Sequence, residues 1–232
     1  MQSKRPFSPF SSSLRPAFWL GLLLFSLTLL VACNVGGGGV ADCNEGGVLF
    51  ADDFSGAQNC GWALYNRGGV VVAIENGVMR FSTSQTGQVW WTNPGRNFDD
   101  VIINVQARQV SGPNNNAFGA ICRYQNEQNF YVFLISGDGY YAIGKYSSDK
   151  PTITYLTEQG EYQFSEVINQ GLATNQIQAS CIGNELSLLV NGIPLISVND
   201  PTFVLGDVGL AVSTLEPGTA VIEFSNFQVV SP

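Results

Sequence analysis

From residue 48 onward the chain alternates short apolar runs with clusters of Gly, Asn, Asp and Pro, and the runs are rich in Val, Ile, Phe, Tyr and Thr. β-branched and aromatic residues held between turn formers point to strands, not helices. The runs predict about fourteen strands, over 48–54, 70–74, 78–83, 89–92, 101–110, 117–124, 130–135, 140–145, 152–156, 176–182, 186–190, 193–198, 208–213 and 220–229. Asn76-Gly77 and Asn191-Gly192 supply the positive backbone angles that two-residue hairpins need, and Gly137-Asp138-Gly139 marks another tight connection. Alternation is cleanest in 176–181, which sends Ile177, Ala179 and Cys181 toward a core and Gln176, Gln178 and Ser180 toward water. Antiparallel strands in this number must stack as two sheets or close into a barrel, because a single open sheet leaves an apolar face in water. The expected fold class is all-β, a two-sheet antiparallel sandwich with little helix.

The first 32 residues follow a different pattern. Lys4, Arg5 and Arg15 precede an uncharged stretch from Ala17 to Ala32. Sixteen residues at a helical rise of about 1.5 Å reach roughly 24 Å, short of the roughly 30 Å hydrocarbon core, so an export leader is favoured over a spanning helix. The leader closes on Leu30-Val31-Ala32-Cys33, which resembles the lipobox of bacterial lipoproteins. That resemblance implies cleavage before Cys33, diacylglycerol on its sulfur and often a further acyl chain on the new amino group, palmitate being a typical label. Two or more chains hold a protein on a membrane far longer than one, at about 0.8 kcal/mol per buried methylene. Asn34 follows the cysteine, where Asp would suggest inner-membrane retention. The four glycines at 36–39 then form a short flexible tether. The expected organisation is a signal peptide over 1–32, a lipidated cysteine and tether over 33–47, and one domain over 48–232.

Charge narrows the partners. All 18 acidic residues but only seven of the ten basic ones follow Cys33, which leaves that part with a net charge of −11. Nucleic acid phosphates and anionic headgroups would repel it, so attachment to a membrane falls to the lipid. Four cysteines remain after Cys33, namely Cys43, Cys60, Cys122 and Cys181, and an even number in an exported chain suggests two disulfides. Three connectivities are open to four cysteines. The favoured one pairs Cys43 with Cys60, clipping the N-terminal segment to the loop before Trp62, and Cys122 with Cys181, joining two alternating strands. Wide spacing and the absence of any histidine argue against zinc.

The succession FADDFSG then GW, FGAICRYQNEQNFYVFLISGDGYYAIGKY, NQIQASCIGNELSLLVNGIPLISVND, and GDVGLAVST followed by VIEFSNFQV resembles the concanavalin A-like, laminin-G-like jelly-roll domains of bacterial surface proteins. The likeness covers residues 50–229. It implies two curved antiparallel sheets of six or seven strands each, with ligands on the concave face or in rim loops. Lectins, glycanases, laminin-G adhesion modules and keto-disaccharide hydrolases share this architecture, so the fold does not fix the function.

A chain without histidine has no Ser-His-Asp or Cys-His machinery. Glycan hydrolysis would then need two carboxylates about 5–9 Å apart. The Glu-x-Asp-x-x-Glu run of jelly-roll glucanases is absent here, and Asp52-Asp53 and Asp99-Asp100 are adjacent pairs at strand starts. Binding rests on aromatics, because sugar C–H faces stack on Trp and Tyr while hydroxyl groups bond to polar neighbours. Trp90, Trp91, Tyr124, Tyr131, Tyr140 and Tyr141 are available, and one of each consecutive pair should face outward. Arg123, placed between Cys122 and Tyr124 as inward residues, should project outward beside Tyr131. The expected binding patch is Trp91, Arg123, Tyr131 and Tyr141. The resemblance also implies a structural calcium ion where first and last strands meet, with Asp52, Asp53 and Asn226 as ligands, although Ser225 stands where relatives often carry Asp. No other cofactor is required. The sum is a lipid-anchored cell-envelope protein, facing outside the cytoplasm, whose domain binds carbohydrate or another surface polymer. A glycoside- or keto-disaccharide-type hydrolase and an adhesion module for a protein partner are the alternatives.

Overall fold

The computed structural model describes Cys43 and residues 47–56, 59–150 and 152–232; the leader, Cys33 and the glycine tether lie outside the described residues. Sixteen strands are present: β1 (Phe50–Asp52), β2 (Tyr65–Arg67), β3 (Val70–Glu75), β4 (Val78–Thr83), β5 (Trp90–Thr92), β6 (Val101–Ser111), β7 (Asn116–Asn126), β8 (Asn129–Ile135), β9 (Tyr140–Tyr146), β10 (Thr154–Tyr155), β11 (Gln163–Phe164), β12 (Thr174–Ile182), β13 (Glu185–Val190), β14 (Ile193–Asn199), β15 (Asp207–Thr214) and β16 (Ala220–Val230). They form a nine-stranded sheet ordered β14-β13-β12-β6-β16-β4-β3-β2, with β1 also on β16, and a seven-stranded sheet ordered β10-β9-β8-β7-β15-β5, with β11 also on β9. The pairing between the named strands is antiparallel throughout. This is the two-sheet sandwich that the hydrophobic pattern predicts and the jelly roll that the resemblance implies, with β2 and β11 added and nine strands, not six or seven, in the larger sheet.

The nine-stranded sheet obeys a period of two. In β6, Val101, Ile103, Val105 and Ala107 are buried while Ile102, Asn104 and Gln106 are only partly covered, and in β12 Ile177, Ala179 and Cys181 face inward as expected. Outside, Glu223 of β16 accepts from Arg80 at 2.7 Å and from Arg108 at 2.6 Å, joining three neighbouring strands. The seven-stranded sheet is different. Every residue of β15 and nearly all of β8 is buried, because this sheet carries a second apolar cluster on its outer face, built on Ile121, Phe130, Val132 and Leu134. Continuous burial explains why Phe130 to Ile135 reads as an unbroken apolar run rather than an alternating one.

Both disulfides form the favoured connectivity. Cys43–Cys60 ties the start of the domain to the segment before Trp62, and Cys122–Cys181 joins β7 of one sheet to β12 of the other. The second closes a loop of 59 residues, which in the chain-entropy model corresponds to about 4 kcal/mol taken from the unfolded state. Urea unfolding of the double variant Cys122→Ala, Cys181→Ala is expected to show a loss of about that size, whereas a change below about 1 kcal/mol would mean that the unfolded chain is already compact there.

Candidate functional site

The edges of the two sheets meet where β2 faces β5. Tyr65 of β2 donates from its hydroxyl to the carbonyl of Trp91 at 2.9 Å. Thr92 Oγ1 donates to the carbonyl of Ala63 at 2.7 Å, and the Ala63 N–H donates to the Asn93 carbonyl at 3.2 Å. Burial pushes the Tyr65 hydroxyl up to about 12, against the opposing pull of Arg67 and of its own bond to Trp91, so it acts as a donor at every physiological pH. These three bonds close the sandwich along one rim.

Along that rim runs a groove of about 710 Å³, within the range of small-molecule sites. β5 and the turn after it line it with Trp90, Trp91, Asn93 and Gly95; Tyr65 and Arg67 come from β2, and Tyr124, Glu127 and Asp207 from the seven-stranded sheet and its turn. Trp90 and Trp91 face opposite ways, as consecutive strand residues must. Trp90 packs against the inner core, and Trp91 joins the outer cluster, 6.2 Å from the Tyr124 ring and 5.2 Å from Phe130. Arg67 lies over the Tyr65 ring at 4.8 Å and 6.0 Å from the Trp90 ring. The Trp90 indole N–H is buried with no acceptor among the described residues.

Asp207 sits at the far end. Its carboxylate accepts N–H groups from Gly95 at 2.8 Å and from Val208 at 2.8 Å, and it is 6% exposed. Burial pushes it up to about 6, against the lowering effect of the Val208, Arg96 and Gly95 N–H groups and of the Arg96 charge.

Of the four residues expected to form a patch, Trp91 alone lines this groove. Arg123 was expected to point outward and is instead buried at 1% exposure. The reason is a bulge: the β7–β8 register shifts after Cys122, and Arg123 takes a left-handed φ of 52°, which turns its side chain inward and sends Tyr124 to the outer face. Arg123 donates to the Phe203 carbonyl at 2.6 Å and to Asp100 at 3.1 Å. Tyr131 is fully buried; its hydroxyl donates to Asp200 at 2.7 Å and accepts from the Phe203 N–H at 3.1 Å. Lys145 also reaches Asp200, at 2.6 Å. Burial opposes ionisation of Asp200, but the bonds from Lys145, Thr202 and Tyr131 outweigh it and hold its pKa at about 2. Arg123 and Tyr131 therefore fix the loop that leads into β15, and with it Asp207. Tyr141 is half-buried against the inner core, while Tyr140 is 41% exposed.

Asp52 stands opposite Phe227 where β1 pairs β16, with Asp53 and Asn226 next to them in the chain. Asp52 accepts the Phe54 N–H at 2.7 Å and the Trp62 indole N–H at 2.9 Å, and Asp53 accepts both the N–H and the hydroxyl of Ser55. Both carboxylate oxygens of Asp52 and one of Asp53 thus cap the turn and anchor Trp62. Among the described residues no group of three or more Cys, Asp or Glu side chains is arranged to hold a metal ion.

No protein-family model matches the chain, and no curated protein sequence matches it. Solved structures resemble its fold. The carbohydrate-binding module CBM66 from Bacillus subtilis is 15% identical with a TM-score of 0.58, covering 74% of this chain and 96% of that one. A protein of unknown function with a galectin-like fold, also from Bacillus subtilis, is 11% identical with a TM-score of 0.52, covering 80% and 96%. The GH16 protein of the Bacteroides ovatus mixed linkage glucan PUL, in complex with G4G4G3G product, is 11% identical with a TM-score of 0.54, covering 79% and 100%. The shared property is the architecture.

Asp207 offers a direct check on the rim. A carboxyl group raised in the folded state contributes stability that is complete below its unfolded pKa near 3.8 and is lost as pH rises through about 6. Asp52, raised mainly by burial, contributes in the same sense. Asp207→Asn is therefore expected to flatten, not steepen, the decline in melting temperature between pH 4 and pH 7, and carboxyl NMR should place the wild-type midpoint near 6. A midpoint near 4 would show that the groove end is wet.

Proposed function

We propose that this chain is a lipid-anchored protein of the cell envelope that binds carbohydrate, without cleaving it, in the rim groove. The observation that carries the reading is the Trp91–Tyr124 pair at 6.2 Å beside Asn93, Glu127 and Asp207 in one groove, which joins an aromatic platform to hydrogen-bonding groups. A sugar ring can lay its C–H face on the platform while its hydroxyl groups reach the polar rim. The carbohydrate-binding module among the fold neighbours is consistent with this use of the architecture.

Binding is favoured over hydrolysis because Asp207 is tied by backbone N–H groups and forms part of the groove wall. A hydrolase needs one carboxyl group free to hand over a proton and a second placed across the bond. The lipobox resemblance at Leu30–Cys33 supports the anchoring half of the proposal, and a net charge of −11 after Cys33 would leave the domain little attraction for an anionic membrane surface.

Titration of the full chain with neutral oligosaccharides, followed by tryptophan fluorescence, should give saturable quenching, and Trp91→Ala should weaken it about tenfold while leaving the circular dichroism unchanged. Release of new reducing ends during incubation would instead establish hydrolysis. For the anchor, metabolic labelling with radioactive palmitate should mark the wild-type chain and not Cys33→Ser; equal labelling of both would overturn it.

A further inference from the structure

Seven basic residues follow Cys33, and all seven are described. Arg80 and Arg108 are bound to Glu223, Arg123 to Asp100 and Lys145 to Asp200. Arg96 stacks over Phe50 and faces Asp207, and Lys150 acts on Asp149 in an exposed turn. Arg67 has no carboxylate in ion-pair distance among the described residues; it is an exposed guanidinium placed over the Tyr65 ring in the groove.

The groove is also polarised. β5 runs from Trp90, where Arg67 sits, to Thr92, and the chain continues through Asn93 to Gly95, whose N–H is bound to Asp207. At about 3.3 Å per residue the two ends lie on the order of 10–15 Å apart. One end therefore offers a cation on an aromatic support, and the other offers the carboxylates of Asp207 and Glu127. A neutral glycan would use the second end and leave the first idle. A fully anionic ligand would be repelled by the second. The complementary ligand carries its anion at one end and uncharged hydroxyl groups at the other.

We propose that the groove takes an acidic carbohydrate, with the carboxylate of a uronic acid residue paired to Arg67 and the hydroxyl groups of its neighbour donating to Asp207 and Glu127. This rests on the carbohydrate-binding reading above. A guanidinium presents parallel N–H groups that match a planar carboxylate, and its contact with Tyr65 limits the freedom lost on pairing. The overall negative charge does not forbid such a ligand, since at physiological ionic strength charges beyond about 8 Å are largely screened and the nearest partner dominates.

The test uses the full chain in 150 mM salt and matched disaccharides: cellobiose against cellobiuronic acid, galactobiose against digalacturonate, and mannobiose against dimannuronate, read by tryptophan fluorescence and calorimetry. In at least one pair the acidic member should bind about tenfold or more tightly than its neutral partner. Arg67→Gln should abolish that preference by weakening the acidic member more than its neutral partner, and Arg67→Lys should restore it only in part. Equal affinities in every pair, or a preference that survives Arg67→Gln, would overturn the assignment of the anion to Arg67 and leave carbohydrate binding intact. No binding by any member, acidic or neutral, would overturn both.

Discussion

The left-handed backbone at Arg123 sets the face on which every later residue of β7 appears, and the rim groove depends on that reversal. A non-glycine residue at a φ of 52° costs roughly 1–2 kcal/mol relative to ordinary strand geometry. Two interactions hold it there, the 2.6 Å bond to the Phe203 carbonyl and the 3.1 Å contact with Asp100, whose side chain is partly in water. The reversal lets Cys122 reach Cys181 on the inside while Tyr124, two residues later, stands outside against Trp91. It also allows β7 to press on the 200–207 loop. At Gly206 a Cβ would lie 2.5 Å from the Arg123 carbonyl carbon, so the close approach that brings Asp207 to the groove admits no larger residue without a shift.

Much of the fold was legible because period-two patterning and turn chemistry act over a few residues. Alternation in 176–181 placed Ile177, Ala179 and Cys181 correctly, and both Asn-Gly pairs sit in hairpins with positive φ at Asn76, Gly77, Asn191 and Gly192. β2 and β11 carry no strand signal because Tyr65-Asn66-Arg67 and Gln163-Phe164 are too short to show a period; tertiary pairing with β3 and β9 makes them strands. The site was less legible for a related reason. A bulge is one residue of backbone geometry with no compositional mark when Arg occupies it, and an error of one position inverts the face of everything beyond it. Counting inward from Cys122 gave Arg123 to solvent and Tyr124 to the core, the reverse of what the structure contains. The consecutive pairs at Trp90-Trp91 and Tyr140-Tyr141 contain no bulge, and there the opposite-face rule held.

The outer face of the seven-stranded sheet explains why the groove lies at its edge. Phe130, Val132 and Leu134 are buried there, Phe130 stacks on Tyr146 at 4.5 Å, and the side chain of Ile153 occupies the space a Cβ at Gly144 would need. An apolar cluster therefore takes much of the outer face of this sheet. Towards β5 the cluster ends in Trp91 and Tyr124, half-buried rings that are both part of the packing and part of the groove wall. A platform anchored in this way is set before any ligand arrives, which would lower the ordering cost of the proposed binding.

Rigidity also bears on the proposed choice of recognition over catalysis at this rim. Asp207 has the raised pKa that a proton donor needs, but its carboxylate accepts from the N–H groups of Gly95 and Val208, and desolvation rather than a second nearby carboxylate is the main cause of the shift. A general acid must change its protonation and its bonding partners during each turnover. Ionising Asp207 strengthens its backbone bonds but leaves a charge in a desolvated place, so each proton transfer would shift the balance that holds the turn carrying Gly95. The same arrangement suits a binding site, in which the turn after β5 has only to stay where Trp91 and Asn93 are needed.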